Sequence, residues 1–352
     1  MRTFARLHLL GAFAVFTLVF VLYSASSSRL TTQIHKTFSS QARRLVVFGD
    51  FHSDTATYAV NKPKKGYTYE RHEAQGLPWT ALLADEVRHG AFLAPQKFRA
   101  NPTQLLCDGV NNFARSYPTT HTGVQAAAMV DNGLVVNMTN LNTSKPIWTP
   151  LSDFRDQVKE WAEFEQKRRS KTSQDQENEW TLFSVFFGTW DLWQIIDMAE
   201  EDAEYTVQEA VLYLFDQLDV ISAHSHTPPT ILLSTMFDLT FTPRFQYERI
   251  EHPEKPSIID LQRKTISLVQ LWNEFLRLEA ADWPYGNLIV LDMDKWLVNE
   301  LRQVQLYDLH YQESDSLSSS LFEDASSPCY TPDKIKLNEE GICENPAEYF
   351  FW

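Results

Sequence analysis

Short apolar runs that stop abruptly at glycine or aspartate, separated by amphipathic segments of helical period, restrict the fold of this chain most. The run Leu45-Val46-Val47-Phe48 stops at Gly49-Asp50, and Thr181 to Phe187 stops at Gly188. Thr230 to Leu233 and Leu288 to Leu291 are each followed by polar residues. Runs of this length, rich in β-branched and aromatic residues, read as buried strands. Between them, Val207, Val211, Leu214, Leu218 and Ile221 mark one face of a helix, with Thr206 and Glu209 as a capping-box pattern at its start. Leu261, Leu268, Leu271, Trp272 and Phe275 mark a second helix over about 257–278, and Phe154, Val158 and Trp161 a third, earlier one. The polar stretch 162–179 reads as a solvated helix end and loop. Strands that alternate with long helices join into a parallel sheet covered on both faces. The expected architecture is therefore a three-layer α/β/α sandwich with a central parallel sheet. Chemistry in such sheets gathers at the carboxyl ends of the strands, where 50–54 and 188–191 both fall.

With 352 residues, 43% of them apolar and 13% aromatic, the chain can bury one large core, and a single domain over 43–352 is expected. A formal charge of −15 argues against nucleic acid or anionic lipid as a partner, because a phosphate backbone would be repelled. Arg2 and Arg6 precede an apolar run over 9–23, which a Ser-rich stretch follows. That pattern directs a chain into the secretory pathway. Segment 1–23 then serves either as an uncleaved signal anchor, giving a type II membrane protein held through its N-terminal helix, or as a cleaved signal peptide. Segment 24–42, rich in Ser, Thr and Gln, reads as a stalk. The sequons at Asn137 and Asn142 fit a lumenal or extracellular domain. In that compartment Cys329 and Cys343 can form a disulfide, leaving Cys107 unpaired.

The segment Phe48-Gly49-Asp50-Phe51-His52-Ser53-Asp54-Thr55 resembles block I of the SGNH, or GDSL, ester hydrolases, where a serine just past the strand is the nucleophile. Phe51 stands in that place, and a benzyl group has neither a lone pair to attack an ester nor a proton for a base to remove. Asn112-Phe113-Ala114-Arg115-Ser116-Tyr117 resembles block II, whose glycine lends a backbone donor to the oxyanion hole; Tyr117, or Ser116 on a one-residue shift, takes that place. Gly188-Thr189-Trp190-Asp191 resembles block III with Trp190 where the oxyanion-hole asparagine would be. Phe237 to Pro243 resembles a further stretch recurrent in the fungal branch, and the likeness is nearest to fungal members with a membrane-type N-terminus. The family's closing Asp-x-x-His is not reached: Glu344 to Trp352 leads up to it, so the domain reads as truncated at its C-terminus. The resemblance implies a homologue of esterases acting on acyl or acetyl esters of lipid or carbohydrate, with nucleophile, orienting acid and base all missing. Either some serine chemistry persists, for which Ser53 is the candidate, or the fold is a non-catalytic binding or interaction protein.

A different chemistry is suggested by Asp50-x-His52 and His224-x-His226, the spacing by which metal-dependent phosphoesterases hold two ions. No Asn-His dipeptide accompanies them, and a histidine past a helix end is more simply explained by the negative end of the helix dipole. Trp190 and Trp193 can floor a carbohydrate cleft or pack into the core. No Gly-rich phosphate loop or zinc-spaced cysteine pair appears, so neither a cofactor nor a metal is expected.

Overall fold

The computed structural model describes residues 43–50, 52–55, 79–89, 110–115, 128–132, 152–171, 180–242, 245, 258–308, 324–328 and 349–351. Five strands, β1 (Arg43–Gly49), β2 (Val110–Asn112), β3 (Trp180–Phe186), β4 (Thr230–Ser234) and β5 (Asn287–Leu291), pair in the order β2-β1-β3-β4-β5, all parallel. Helices α1 (Trp79–His89), α2 (Phe154–Lys171), α3 (Thr189–Ile195), α4 (Glu200–His224), α5 (Ile258–Asp282) and α6 (Met293–Asp308) follow the strands. A separate parallel pair, β6 (Asp324–Pro328) and β7 (Tyr349–Phe351), forms a second small sheet.

Alternation along β1 feeds two layers. Val46 and Phe48 point into the main core with Phe154, Val158 and Trp161 of α2, with Val207, Val211 and Leu214 of α4, and with Leu268 and Trp272 of α5. Leu45 and Val47 point the other way, onto Ala84 and Val87 of α1. Helices on both faces of one parallel sheet make this an α/β fold, as the strand and helix alternation requires. Phe48 is the centre of the main layer. Its ring is stacked on Phe113 at 5.7 Å and meets Trp161 edge-on at 6.2 Å, contacts that add to the area they bury.

The strand order fixes where a site can form. The chain leaves β1 for β2 on one side and returns to β3 on the other, so the crevice at the carboxyl ends of β1 and β3 is the switch point of the sheet.

One helix start departs from the sequence reading. α4 begins at Glu200, with Glu200, Glu201 and Asp202 in its first turn, and its N-cap residue Ala199 provides no side-chain cap. Thr206 lies inside the helix, where its hydroxyl donates to the Asp202 carbonyl at 2.6 Å. The acidic first turn complements the helix dipole and replaces the capping box expected at Thr206 and Glu209.

Candidate functional site

The two switch-point turns are built from short polar clamps. After β1 the chain folds back so that the Ser53 and Asp54 amides both donate to the Asp50 carbonyl at 3.1 Å. Asn112, at the end of β2, donates to the Ser53 carbonyl at 2.8 Å while accepting from the Ala114 amide at 2.9 Å, and the Thr80 hydroxyl donates to the same Ser53 carbonyl at 3.1 Å. Asn112 therefore fastens the Asp50 turn to its neighbouring strand. Gln157 of α2 grips Gly49 from both sides, accepting from its amide and donating to its carbonyl, each at 3.0 Å. The Gly49 carbonyl also accepts from the Arg115 amide at 3.1 Å, so the end of β1 is held from both α2 and the chain after β2.

Two glycines permit the close packing. A Cβ on Gly49 would stand 2.7 Å from Ser53 Oγ and 2.9 Å from the Phe186 carbonyl, so the Ser53 side chain lies directly over it. Gly188, between β3 and α3, has φ of +124°, and a Cβ there would stand 2.8 Å from both Met236 and Trp272. Only glycine adopts that backbone without strain. The resulting turn brings Asp191, in the first turn of α3, back toward Asp50. Its Oδ1 accepts from the Val130 amide at 3.0 Å.

Asp50 and Asp191 are both buried, at 0% and 2% exposure. Burial pushes Asp50 up to about 8; the His52 amide offsets part of this, and the nearby Asp191 charge adds to it. Burial likewise pushes Asp191 up to about 7, against hydrogen bonds led by the Val130 amide, with Asp153 adding repulsion. The two carboxyls interact, so they titrate as a pair. The Thr189 hydroxyl is near enough to Asp50 to lower its pKa slightly. Even so, neither Thr189 Oγ1 nor the outer oxygens of Asp50 and Asp191 have a hydrogen-bond partner of normal geometry among the described residues. This is a buried carboxyl pair in which burial favours the protonated form of each acid, with the His52 ring near Phe186 and Phe237 at 5.6 and 5.8 Å.

Of the sequence-predicted positions, Gly49, Asp50, Ser53, Asp54, Asn112, Gly188, Trp190 and Asp191 lie in or beside these switch-point turns. Ser53 is fully buried, and its hydroxyl has no hydrogen-bond partner among the described residues. Among the described residues, therefore, no base holds it as an activated nucleophile would be held. Trp190 is half-buried against the core, and Trp193 is buried with its ring 6.5 Å from Phe245, so both belong to the packing. His224 and His226 precede β4, whereas Asp50 and His52 follow β1. In a parallel sheet these are opposite edges, and the two halves of the proposed metal spacing do not meet. Among the described residues no group of three or more His, Cys, Asp or Glu side chains could hold a metal ion. Phe51, Ser116, Tyr117, Asn137, Asn142, Cys107, Cys329, Cys343 and the N-terminal segment lie outside the described residues. Within them, no helix is long and apolar enough to cross a membrane.

Sequence reasoning missed the amides that set the strand ends. Asn273 of α5 grips Met236 as Gln157 grips Gly49, accepting from its amide and donating to its carbonyl at 2.7 Å each. Both sit on the apolar stripe of their helix, Gln157 between Phe154 and Trp161 and Asn273 between Val269 and Leu276. A lone amide on such a stripe is the signal that could have found them. No protein-family model matches the chain, and no curated protein matches it significantly.

Proposed function

We propose that this chain is a degenerate SGNH-type protein of the secretory pathway, in which the hydrolase frame serves binding or interaction and no longer cleaves esters. The block resemblance supplies the family, and Ser53 carries the reading. With Phe51 in the nucleophile's place, Ser53 is the serine left in block I, and it is sealed against Gly49 with no base on it among the described residues. The two acids beside it are buried, so neither presents an exposed carboxylate to orient a histidine. The ester-bearing lipid or carbohydrate that the family would cleave becomes, in this reading, the class of ligand retained. Attachment through the N-terminal segment would hold the domain at a membrane surface.

The test is reaction of the purified full chain with a fluorophosphonate probe, alongside hydrolysis of short acyl p-nitrophenyl esters. The expected result is labelling and hydrolysis no higher than in a heat-denatured control. Stoichiometric labelling, abolished together with hydrolysis in Ser53→Ala, would instead establish a working serine enzyme.

A further inference from the structure

At the sheet edge opposite the acid pair, the starts of β1, β3 and β4 and the last turns of α2 enclose a cavity of about 70 Å³. Its lining includes Arg44, Trp161, Glu165, Arg168, Arg169 and His226. We propose that this cavity is a binding site for a phosphate-type oxyanion, either free phosphate or the phosphoryl group of a phosphomonoester.

Charge is the first reason. In a chain of net charge −15, this small space is lined by three guanidiniums and one carboxylate. The carboxylate is already shared: Glu165 meets Arg44 at 2.5 Å and Arg168 at 3.1 Å. Burial raises the Glu165 pKa, but the two guanidiniums outweigh it and hold the group below its ordinary value, so it is ionised and its single charge is spent on two cations. Arg169 donates only to the His224 carbonyl and pairs with no carboxylate among the described residues. The lining therefore carries an excess of positive charge, part of it in a partly desolvated place where charge interacts strongly.

A second, independent reason is Trp161. Its residue is 2% exposed, it lines the cavity, and its indole N–H has no acceptor among the described residues. A buried, unpartnered donor on a residue that lines a cavity is matched by an acceptor bound there. Guanidinium and indole groups only donate, so the complementary ligand is one that only accepts. These donors come from β1 and from separate turns of α2. A tetrahedral oxyanion presents oxygens in all those directions, whereas a carboxylate presents them in one plane. The volume has room for a few waters or one such anion, and the exposed Arg169 and His226 form an open rim through which an esterified phosphate could trail.

Calorimetric titration of the full chain with inorganic phosphate, with acetate and with glycerol phosphate, in chloride at fixed ionic strength, tests this. One saturable phosphate site is expected, with no comparable acetate binding. Glycerol phosphate competing for it identifies a phosphomonoester pocket; phosphate binding without that competition identifies a free-ion site, and both support the proposal. Because Arg169 is exposed, Arg169→Gln should fold normally and bind phosphate about tenfold more weakly, as loss of a charge-assisted bond predicts. Glu165→Gln, which removes the competing anion, should bind more tightly, a change that a purely structural ion pair would not produce. Absence of saturable phosphate binding, equal binding of acetate, or affinity unchanged in Arg169→Gln overturns the assignment.

Discussion

Replacing Asp50 with asparagine should change the pH dependence of stability more than stability itself. In the folded chain burial raises Asp50 from 3.8 to about 8, whereas in the unfolded chain it returns to its ordinary value. Between about pH 4 and pH 8 the folded state holds a proton that the unfolded state has released, so stability falls as pH rises. The contribution is fully present below about pH 4 and is lost as pH climbs toward 8. At ~1.4 kcal/mol for each pH unit of difference, the loss across that window is on the order of 3 to 6 kcal/mol. Asp191, raised to about 7 from the same ordinary value, acts with the same sign up to about pH 7.

Asparagine cannot ionise and keeps the oxygen that accepts from the His52 amide at 3.0 Å. Asp50→Asn should therefore lie within about 1 kcal/mol of wild type near pH 4 and exceed it by several kcal/mol at pH 8. Any N–H of the asparagine left without an acceptor lowers the whole curve by ~1 to 2 kcal/mol without tilting it. The tilt is the readout. Urea unfolding of both proteins at pH 4.5, 6, 7 and 8, with slopes compared to exclude a changed unfolded state, measures it. Parallel curves, with a difference constant to about 1 kcal/mol across the series, would show that Asp50 is hydrated and titrates normally.

Gly188→Ala should destabilise by about 2 to 4 kcal/mol, because φ of +124° and the Met236 and Trp272 contacts both oppose a Cβ; a urea midpoint equal to wild type would contradict it. Gln157→Leu should lose about 1 to 3 kcal/mol by stranding the buried Gly49 amide, read from the same unfolding curves. Arg44→Met, which leaves the buried Glu165 with Arg168 as its remaining guanidinium, should cost about 3 kcal/mol near neutral pH and less in acid, where Glu165 is protonated. Phe51→Ser alone should leave fluorophosphonate labelling at background, since a serine without its base is a weak nucleophile; strong labelling of the new serine would show that a base is present after all.

Four strands of the main sheet were legible because they combine β-branched runs with sharp polar stops, as at Val46-Val47-Phe48-Gly49-Asp50; β2 was not, because Val110–Asn112 is three residues long with two asparagines and shows no apolar run. Helix α1 was not, because its buried stripe consists of Ala81, Ala84 and Val87, small residues that give little contrast with a loop. They are small because this helix lies close on the sheet. The start of α4 was misplaced for a different reason. A capping box is a local pattern, and Thr206 fits it locally, but three acids and tertiary packing carry the helix back to Glu200. The blocks around Asp50 and Asp191 were visible as residue types, yet nothing local showed that both acids would be fully enclosed. Part of that enclosure comes from Val130, distant in sequence, whose amide donates to Asp191.

Helix α2 shows what a closer reading of periodicity can recover. Phe154, Val158 and Trp161 define its apolar stripe, and Gln157 and Glu165 fall on that stripe although both are polar. Each is buried because it meets a specific partner on β1: Gln157 takes Gly49 at the carboxyl end, and Glu165 takes Arg44 at the amino end. The eight residues from 157 to 165 rise about 12 Å along a helix, and the five from 44 to 49 about 17 Å along a strand, so the pairing holds with long side chains reaching outward at both ends. One helix thus fixes both ends of β1, and with them the acid pair at one edge and the guanidinium-lined cavity at the other. A shift of α2 by a single turn would release both ends together. The two polar residues therefore set the register of the helix on the strand, which the aromatic residues between them would tolerate in more than one position.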